Sequence, residues 1–239
     1  MQPFSAGAIW NDTLAALRRD FWTLFVVAAP FTLLVSMAAA LFGPPAPRTM
    51  AGYTPGVVFW LIVVPGVIGI IAQLAVVRLV ADPSELPRRA LGRALALSPV
   101  FLLASTIAAV PVALGLMALV VPGLYVMARL FLTAPVAALE GLDPASTVRR
   151  SWELTRGHGG TILLFIVLGI LFVLGASVLS AGIGAAVASV VKLIGFGAGA
   201  RFIDALLPSL LGVVLTMGSA AASTVIYRNV AQTLPPAGR

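Results

Sequence analysis

The chain has 239 residues, of which 60% are hydrophobic and only 10% are charged, and its mean hydropathy is +1.08. A soluble globular domain carries roughly 25% charged residues, so a chain this apolar could not cover its surface in water and must have lipid as its main solvent. Three explanations compete for the net charge of +7: binding to nucleic acid, binding to an anionic membrane surface, or basic residues that determine the membrane topology. Because the basic residues form short clusters beside apolar runs, we favour topology and lipid headgroups over nucleic acid.

A transmembrane helix needs about 20 apolar residues, because lipid cannot satisfy exposed backbone groups. Six segments qualify, and we predict spans at residues 21–42, 56–79, 99–121, 124–138, 161–182 and 205–226. The fourth span is short, since residues 124–138 make only about 22 Å of helix. The prediction is an all-α integral membrane protein. Residues 1–239 form a single polytopic domain, and the six transmembrane helices form three helical hairpins.

Each hairpin is preceded by a segment that reads as an amphipathic helix on the cytoplasmic side. The second segment starts at Asp82, the predicted N-cap, with Pro83 in the first helical position. The third starts in the same way at Asp143 and Pro144. On the first segment, four large apolar residues share one face: Trp10, Leu14, Leu17 and Phe21.

The second and third segments match at an offset of 61 residues, so that Asp82, Arg88 and Arg89 correspond to Asp143, Arg149 and Arg150. Two explanations of the match stay open. The chain contains a parallel repeat of a surface helix plus a hairpin, or helix starts in an arginine-rich chain are similar in sequence without being repeats. Several residues on these segments are candidate contacts for anionic headgroups, or ordinary topology signals at the interface. They are Arg88, Arg89, Arg93, Arg149, Arg150 and Trp152.

Arginine and lysine also predict the orientation of the spans. With a cytoplasmic N-terminus, eleven basic residues lie inside and three outside, so both termini are predicted to be cytoplasmic. The inner set is Arg18, Arg19, Arg78, Arg88, Arg89, Arg93, Arg149, Arg150, Arg156, Arg228 and Arg239, and the outer set is Arg48, Lys192 and Arg201.

Arg129 is the one basic residue that this assignment leaves inside the membrane, and ionisable groups there are costly and usually functional. If Pro122-Gly123 is the outer turn, Arg129 lies about 9 Å into the outer half of the membrane. Asp204 is the only acid predicted on that side. Three explanations stay open: Arg129 snorkels to the outer headgroups or binds carbonyls of a broken helix, pairs with Asp204, or binds a ligand or a lipid phosphate. Glu140, at the inner end of the same span, is predicted to terminate that helix.

The run VVPGLYVMARLFLTAPVAALEGLDPASTVRRSWELTRGHGG, residues 120–160, resembles the YciC-like bacterial inner-membrane proteins. It also resembles the membrane domain attached to some glycerophosphoryl diester phosphodiesterases. Pro122-Gly123, Pro135 and the pattern Arg150-Ser151-x-x-Leu154-Thr155 carry the resemblance. It implies a six-span protein of the bacterial inner membrane with a link to lipid and glycerophosphodiester metabolism. In the fused enzymes, catalysis resembles that of a soluble metal-dependent barrel, which has no counterpart in this sequence.

Residues with the spacing of a catalytic or metal site are missing from the sequence. His158 is the only histidine, and there is no HExxH, GxSxG or Walker motif. We therefore predict a non-enzymatic protein without metal or cofactor that interacts with phospholipid or another amphiphile in membrane lipid handling.

Two alternatives stay open. One is a small-solute transporter or channel, for which Gln73, Ser105, Thr106 and Thr133 are the few candidates for a polar lining. The other is a structural membrane subunit of a partner enzyme or exporter. A protein partner or a homo-oligomer is compatible with each of these functions.

Overall fold

The computed structural model describes residues 5–44, 49–193, 195 and 197–232. Arg48 and Arg239, which the orientation rule counts, lie outside these residues. The described part is helical almost throughout and contains no β-strand. A π-helical turn at Phe59–Val63 joins α2 to α3. The α-helices are α1 Ala6–Phe42, α2 Pro55–Val58, α3 Val64–Ala81, α4 Pro87–Ala118, α5 Val120–Arg129, α6 Thr133–Glu140, α7 Pro144–Leu154, α8 Gly159–Leu193 and α9 Gly197–Ala231.

Within the described residues, six helical stretches are long and apolar enough to cross a membrane, as in a multi-pass membrane protein. Their number and order agree with the six predicted spans, although most extend beyond the predicted bounds. They are Ala6–Phe42, Pro55–Ala81, Pro87–Ala118, Val120–Glu140, Gly159–Leu193 and Arg201–Ala231.

Helix α9 lies at the centre of the bundle, where it contacts α1, α3, α6, α7 and α8. Small residues form much of the interface, and Ala72, Ala75, Ala220 and Ala221 are fully buried. Lipid tails are as apolar as the helix surfaces, so close packing through small residues takes over from the hydrophobic effect as the main attraction between the spans.

The arginines are concentrated at one end of the bundle. There Arg78, near the end of α3, donates a hydrogen bond to the carbonyl of Ala138 on α6 at 2.7 Å. Glu140, the last residue of α6, accepts a hydrogen bond from the hydroxyl of Tyr227 on α9 at 2.9 Å. The start of α8 joins this end through a shared apolar cluster. We call it the arginine-rich end; the opposite end holds the last turn of α8 and the first turn of α9.

The N-terminal part of α1 packs lengthwise against α9. Trp10 and Leu17 line one groove together with residues 214–222 of α9, and Phe21 lies beside Val214. The helix continues past Asp20, where φ of −122° and ψ of 24° mark a kink. The first predicted surface helix is therefore the beginning of a long helix that packs along the bundle.

The second predicted surface helix begins at Pro87, not at Pro83, and runs without interruption into the third span. Asp82 is the C-cap of α3, so its predicted role as an N-cap is wrong. Its carboxylate accepts hydrogen bonds from the amide and hydroxyl of Ser84 at 3.0 and 2.6 Å. These bonds hold the chain in a turn and lower the pKa of Asp82.

Asp143 does begin α7, with Pro144 in the first helical position. Its carboxylate accepts the backbone N–H of Ser146 at 3.1 Å, and hydrogen bonds from Ser146 lower the pKa of Asp143. Asp82 and Asp143, which correspond in the 61-residue offset, thus have opposite roles. Glu140 is the last residue of α6, as predicted, and Gly141 with φ of 65° ends that helix.

The break between the third and fourth spans lies at Leu119, whose backbone is extended. Pro122-Gly123 instead belongs to the first turn of α5, so the predicted turn is displaced. A Cβ atom built on Gly115 would lie 2.9 Å from the Cα of Gly123. The two glycines therefore allow α4 and α5 to approach closely.

Candidate functional site

Arg129 lies at the arginine-rich end, where it is the last residue of α5 and only 5% exposed. Its carbonyl accepts hydrogen bonds from the hydroxyls of Ser151 and Thr155 at 3.2 and 3.0 Å. Its Cδ lies 3.6 Å from the Cβ position of Gly159, the first residue of α8. Residues of α7 and the turn after it thus fix the end of α5 beside the start of α8.

Asp204 lies far from Arg129. Its carboxylate is 3.7 Å from the Cβ position of Gly184 on α8. Gly159 and Gly184 are about 25 residues apart, which is about 37 Å of helix. The predicted Arg129–Asp204 pair is therefore wrong, and so is snorkelling of Arg129 to the opposite end. Both rested on an outer turn at Pro122-Gly123, whereas the hydroxyls around α7 hold Arg129 at the other end.

The guanidinium of Arg129 lies over an aromatic ring. Its guanidinium carbon lies 4.7 Å from the ring centroid of Trp152, within the range of a cation–π interaction. Trp152 in turn meets Tyr125 edge to face, with ring centroids 6.5 Å apart. The Nε atom of Arg129 is buried without a hydrogen-bond partner. None of the described acidic side chains forms a salt bridge with it.

The N-terminus of α8 lies next to this cation. Gly157, with φ of 87°, turns the chain from α7 into α8. The described residues offer no acceptor to the backbone amides of Gly159, Gly160 and Thr161, and the first turn carries no acidic residue. The first amides of a helix carry a partial positive charge. Arg129 and the start of α8 therefore form one electropositive site, which we call the Arg129 site.

A nearby ion pair ties α6, α7 and α9 together. Arg150 donates from Nε to a carboxylate oxygen of Glu140 at 3.1 Å, and the two side chains are only 13% and 15% exposed. Tyr227 donates to the other oxygen of Glu140. Arg150 therefore forms an internal ion pair and is not an exposed headgroup contact.

A second cluster joins α3 to α4. The carboxylate of Glu85 accepts hydrogen bonds from Arg78 and Arg93, each with a closest distance of 3.1 Å. Arg78 is mostly buried, whereas Arg93 stays exposed. The sequence pattern did not reveal this cluster, because it predicted a helix start at Asp82-Pro83 whereas α4 begins at Pro87.

The remaining headgroup candidates stay accessible at this end, since Arg88, Arg89 and Arg149 are exposed. Arg149 lies 3.6 Å from Glu153, but both side chains are more than half exposed. Exposed pairs of this kind contribute little to stability. Trp152 is also exposed on one side, while its ring covers Arg129.

A groove of about 630 Å³ lies between α1, α5, α8 and α9. Phe165, which lines it, follows Gly159 by six residues, so the groove begins about 9 Å along the helix axis from the start of α8. The ring of Phe131 packs against Phe165 with centroids 6.4 Å apart, and Trp10 packs against Phe172 at 5.7 Å. Nearly all of the lining is apolar, including Leu14, Leu17, Met127, Ile166, Ile170, Val173, Leu174, Val214 and Leu215.

Two smaller cavities, of about 260 and 270 Å³, share Gln73 and Ser219 in their walls. Ser105 and Thr133 line the first cavity, so three of the four residues predicted for a polar lining meet there. Thr106, the fourth, is not part of either lining. The structure adds Thr32, Ser36, Thr216 and Ser223, which the sequence did not single out.

Comparison with known proteins adds no relative: no protein-family model, no curated protein and no solved structure matches this chain. The resemblance to YciC-like proteins therefore stays a prediction. The described residues hold no group of three or more metal-ligating side chains.

Proposed function

We propose that this chain is a non-enzymatic protein of the bacterial inner membrane that binds a phospholipid or a related amphiphile. The groove between α1, α5, α8 and α9 carries the proposal. Its volume of about 630 Å³ falls in the range of ligand sites, and its lining is almost entirely apolar. In a bundle of membrane-spanning helices the abundant apolar ligand is an acyl chain, which we take as the occupant.

The distribution of charge supports a cytoplasmic position for the arginine-rich end. Arg88, Arg89 and Arg149 are exposed there, whereas the opposite end carries Lys192 and Arg201. Basic residues are enriched on the cytoplasmic side of inner-membrane proteins. Each exposed arginine near an anionic leaflet contributes about 1 kcal/mol of attraction. We therefore place both termini in the cytoplasm and the groove within reach of the inner-leaflet lipids.

Filling the groove tests this function. Gly169 lines the groove, and no atom lies within 4 Å of its Cβ position. Gly175 on the same helix has the same open space but does not line the groove. We expect Gly169→Phe to retain severalfold less phospholipid through purification, as counted by native mass spectrometry. The matched control Gly175→Phe should retain as much as the wild type, and equal retention by the two variants would contradict an acyl chain in the groove.

A small-solute transporter or channel is the second candidate, which the two cavities around Gln73 and Ser219 favour. The hydroxyls and the Gln73 amide in their walls are the kind of polar groups that a hydrophilic solute needs inside a membrane. Solute uptake into vesicles that Gln73→Leu abolishes, with lipid retention intact, would establish this function. If the chain is instead a structural membrane subunit, we expect a partner protein to co-purify with it in a stoichiometric amount.

A further inference from the structure

We infer that the Arg129 site binds a phosphate group of a phosphate monoester or diester. The inference deepens the proposed function, because it names the headgroup chemistry of the amphiphile, and it rests on that function for a lipid as the source. Its two independent observations are the unpaired cation and the uncapped helix start.

The first observation is that Arg129 lacks a counter-ion. An arginine is always charged in proteins, and only 5% of the surface of this one is exposed. Its Nε–H has no acceptor, and no described carboxylate pairs with it. Trp152 offsets part of the cost through its ring face. Buried charges are otherwise paired or coordinated, so the site calls for an anion that the described chain does not supply.

The second observation is the start of α8, whose first three amides have no acceptor among the described residues. A helix N-terminus is a ready site for phosphate because its N–H groups and its dipole both favour an anion. Gly160 is exposed, and no atom lies within 4 Å of its Cβ position, so this turn of α8 is open to a ligand.

Phosphate suits this pair of donors in its shape. Its oxygens point in several directions, so one edge can accept the fork of the guanidinium while another oxygen accepts the helix amides. The apolar groove begins about 9 Å further along α8. A phospholipid with its phosphate at Arg129 can therefore place an acyl chain in the groove.

Two variants remove the site in different ways. Arg129→Gln removes the charge and keeps a side chain of similar polarity. Gly160→Asp puts a carboxylate at the helix start, where it repels phosphate but favours the helix dipole. Lys192→Gln, which removes an exposed charge at the opposite end of α8, is the matched control.

The measurement compares phosphatidylglycerol with diacylglycerol of the same chains, which lacks phosphate, by native mass spectrometry of the full chain in micelles. We expect the wild type and Lys192→Gln to prefer phosphatidylglycerol. Arg129→Gln and Gly160→Asp should lose about tenfold or more of that preference, as for a charge-assisted hydrogen bond. Retained diacylglycerol binding shows that the variants fold. An unchanged preference in either variant would overturn the inference.

A competition with glycerol 3-phosphate separates the two sources of phosphate. Displacement of phosphatidylglycerol supports the site and adds soluble phosphate esters as ligands, while no displacement supports it with the lipid headgroup as the source. Failure of the groove is distinguishable, because it would appear as equal diacylglycerol binding by Gly169→Phe and Gly175→Phe.

Discussion

Glu140 connects three helices through two hydrogen-bonded partners. Its carboxylate accepts from Arg150 on α7 and Tyr227 on α9, and the charged pair is mostly buried. Breaking a buried pair by removing one charge leaves the other uncompensated, whereas removing both is often nearly neutral. The pair therefore stabilises the arginine-rich end chiefly through the cost of separating its members.

This coupling can be measured. We expect Glu140→Gln to lower the free energy of unfolding by about 1–3 kcal/mol, because Arg150 loses its counter-ion. The double variant Glu140→Gln/Arg150→Gln should lose less than the sum of the two single variants. Thermal or denaturant unfolding in micelles gives the values. Additive losses would show that the pair does not act as a unit.

Arg129 shows what residue type alone can predict. A permanent charge in an apolar run identified it as a candidate functional residue. The structure places it against Trp152 of α7 and the start of α8. Its neighbours Trp152 and Gly159 lie more than 20 positions away in the chain. Contacts over such separations depend on how α5, α7 and α8 meet, which no local pattern records.

At the scale of helices, the spans could be predicted because lipid demands long apolar stretches. Helix starts could not, and Asp82-Pro83 and Asp143-Pro144 are the clearest case. The two dipeptides are identical, yet only the second begins a helix. Ser84 holds Asp82 in a turn, and Arg78 draws Glu85 into an ion pair. Local hydrogen bonds and ion pairs thus override the N-cap pattern of the second segment.

The contact between α4 and α5 gives a prediction at this scale. A Cβ atom on Gly123 would lie 2.5 Å from atoms of Leu116, including its backbone nitrogen. We expect Gly123→Ala to destabilise the fold by about 1–3 kcal/mol, the usual cost of overpacking. Hydrogen exchange of the α5 amides would report the loosening.

Gly92→Ala, on the neighbouring helix α4, is the control for this change. No atom lies within 4 Å of the Cβ position of Gly92, and alanine has the higher helix propensity. Its stability should be unchanged or higher. Equal stability of Gly123→Ala and Gly92→Ala would mean that close approach of α4 and α5 is not needed.

At the scale of the whole molecule, the groove and the Arg129 site lie along one helix. α8 presents its first amides to Arg129 and its next turns to the groove. Composition predicted the membrane environment and favoured lipid, but it could not predict this alignment. The alignment arises because α9 lies at the centre and sets α1 and α8 against each other across the groove.

A structure of the wild-type chain in phosphatidylglycerol nanodiscs, determined by electron cryomicroscopy, tests the lipid function most directly. We expect tubular density along the groove from Phe172 to Phe165, continuous with a headgroup whose phosphate lies within hydrogen-bond reach of Arg129 Nε and the amide of Gly160. A groove filled by protein side chains or left without lipid density, with Arg129 facing only protein, would contradict phospholipid binding.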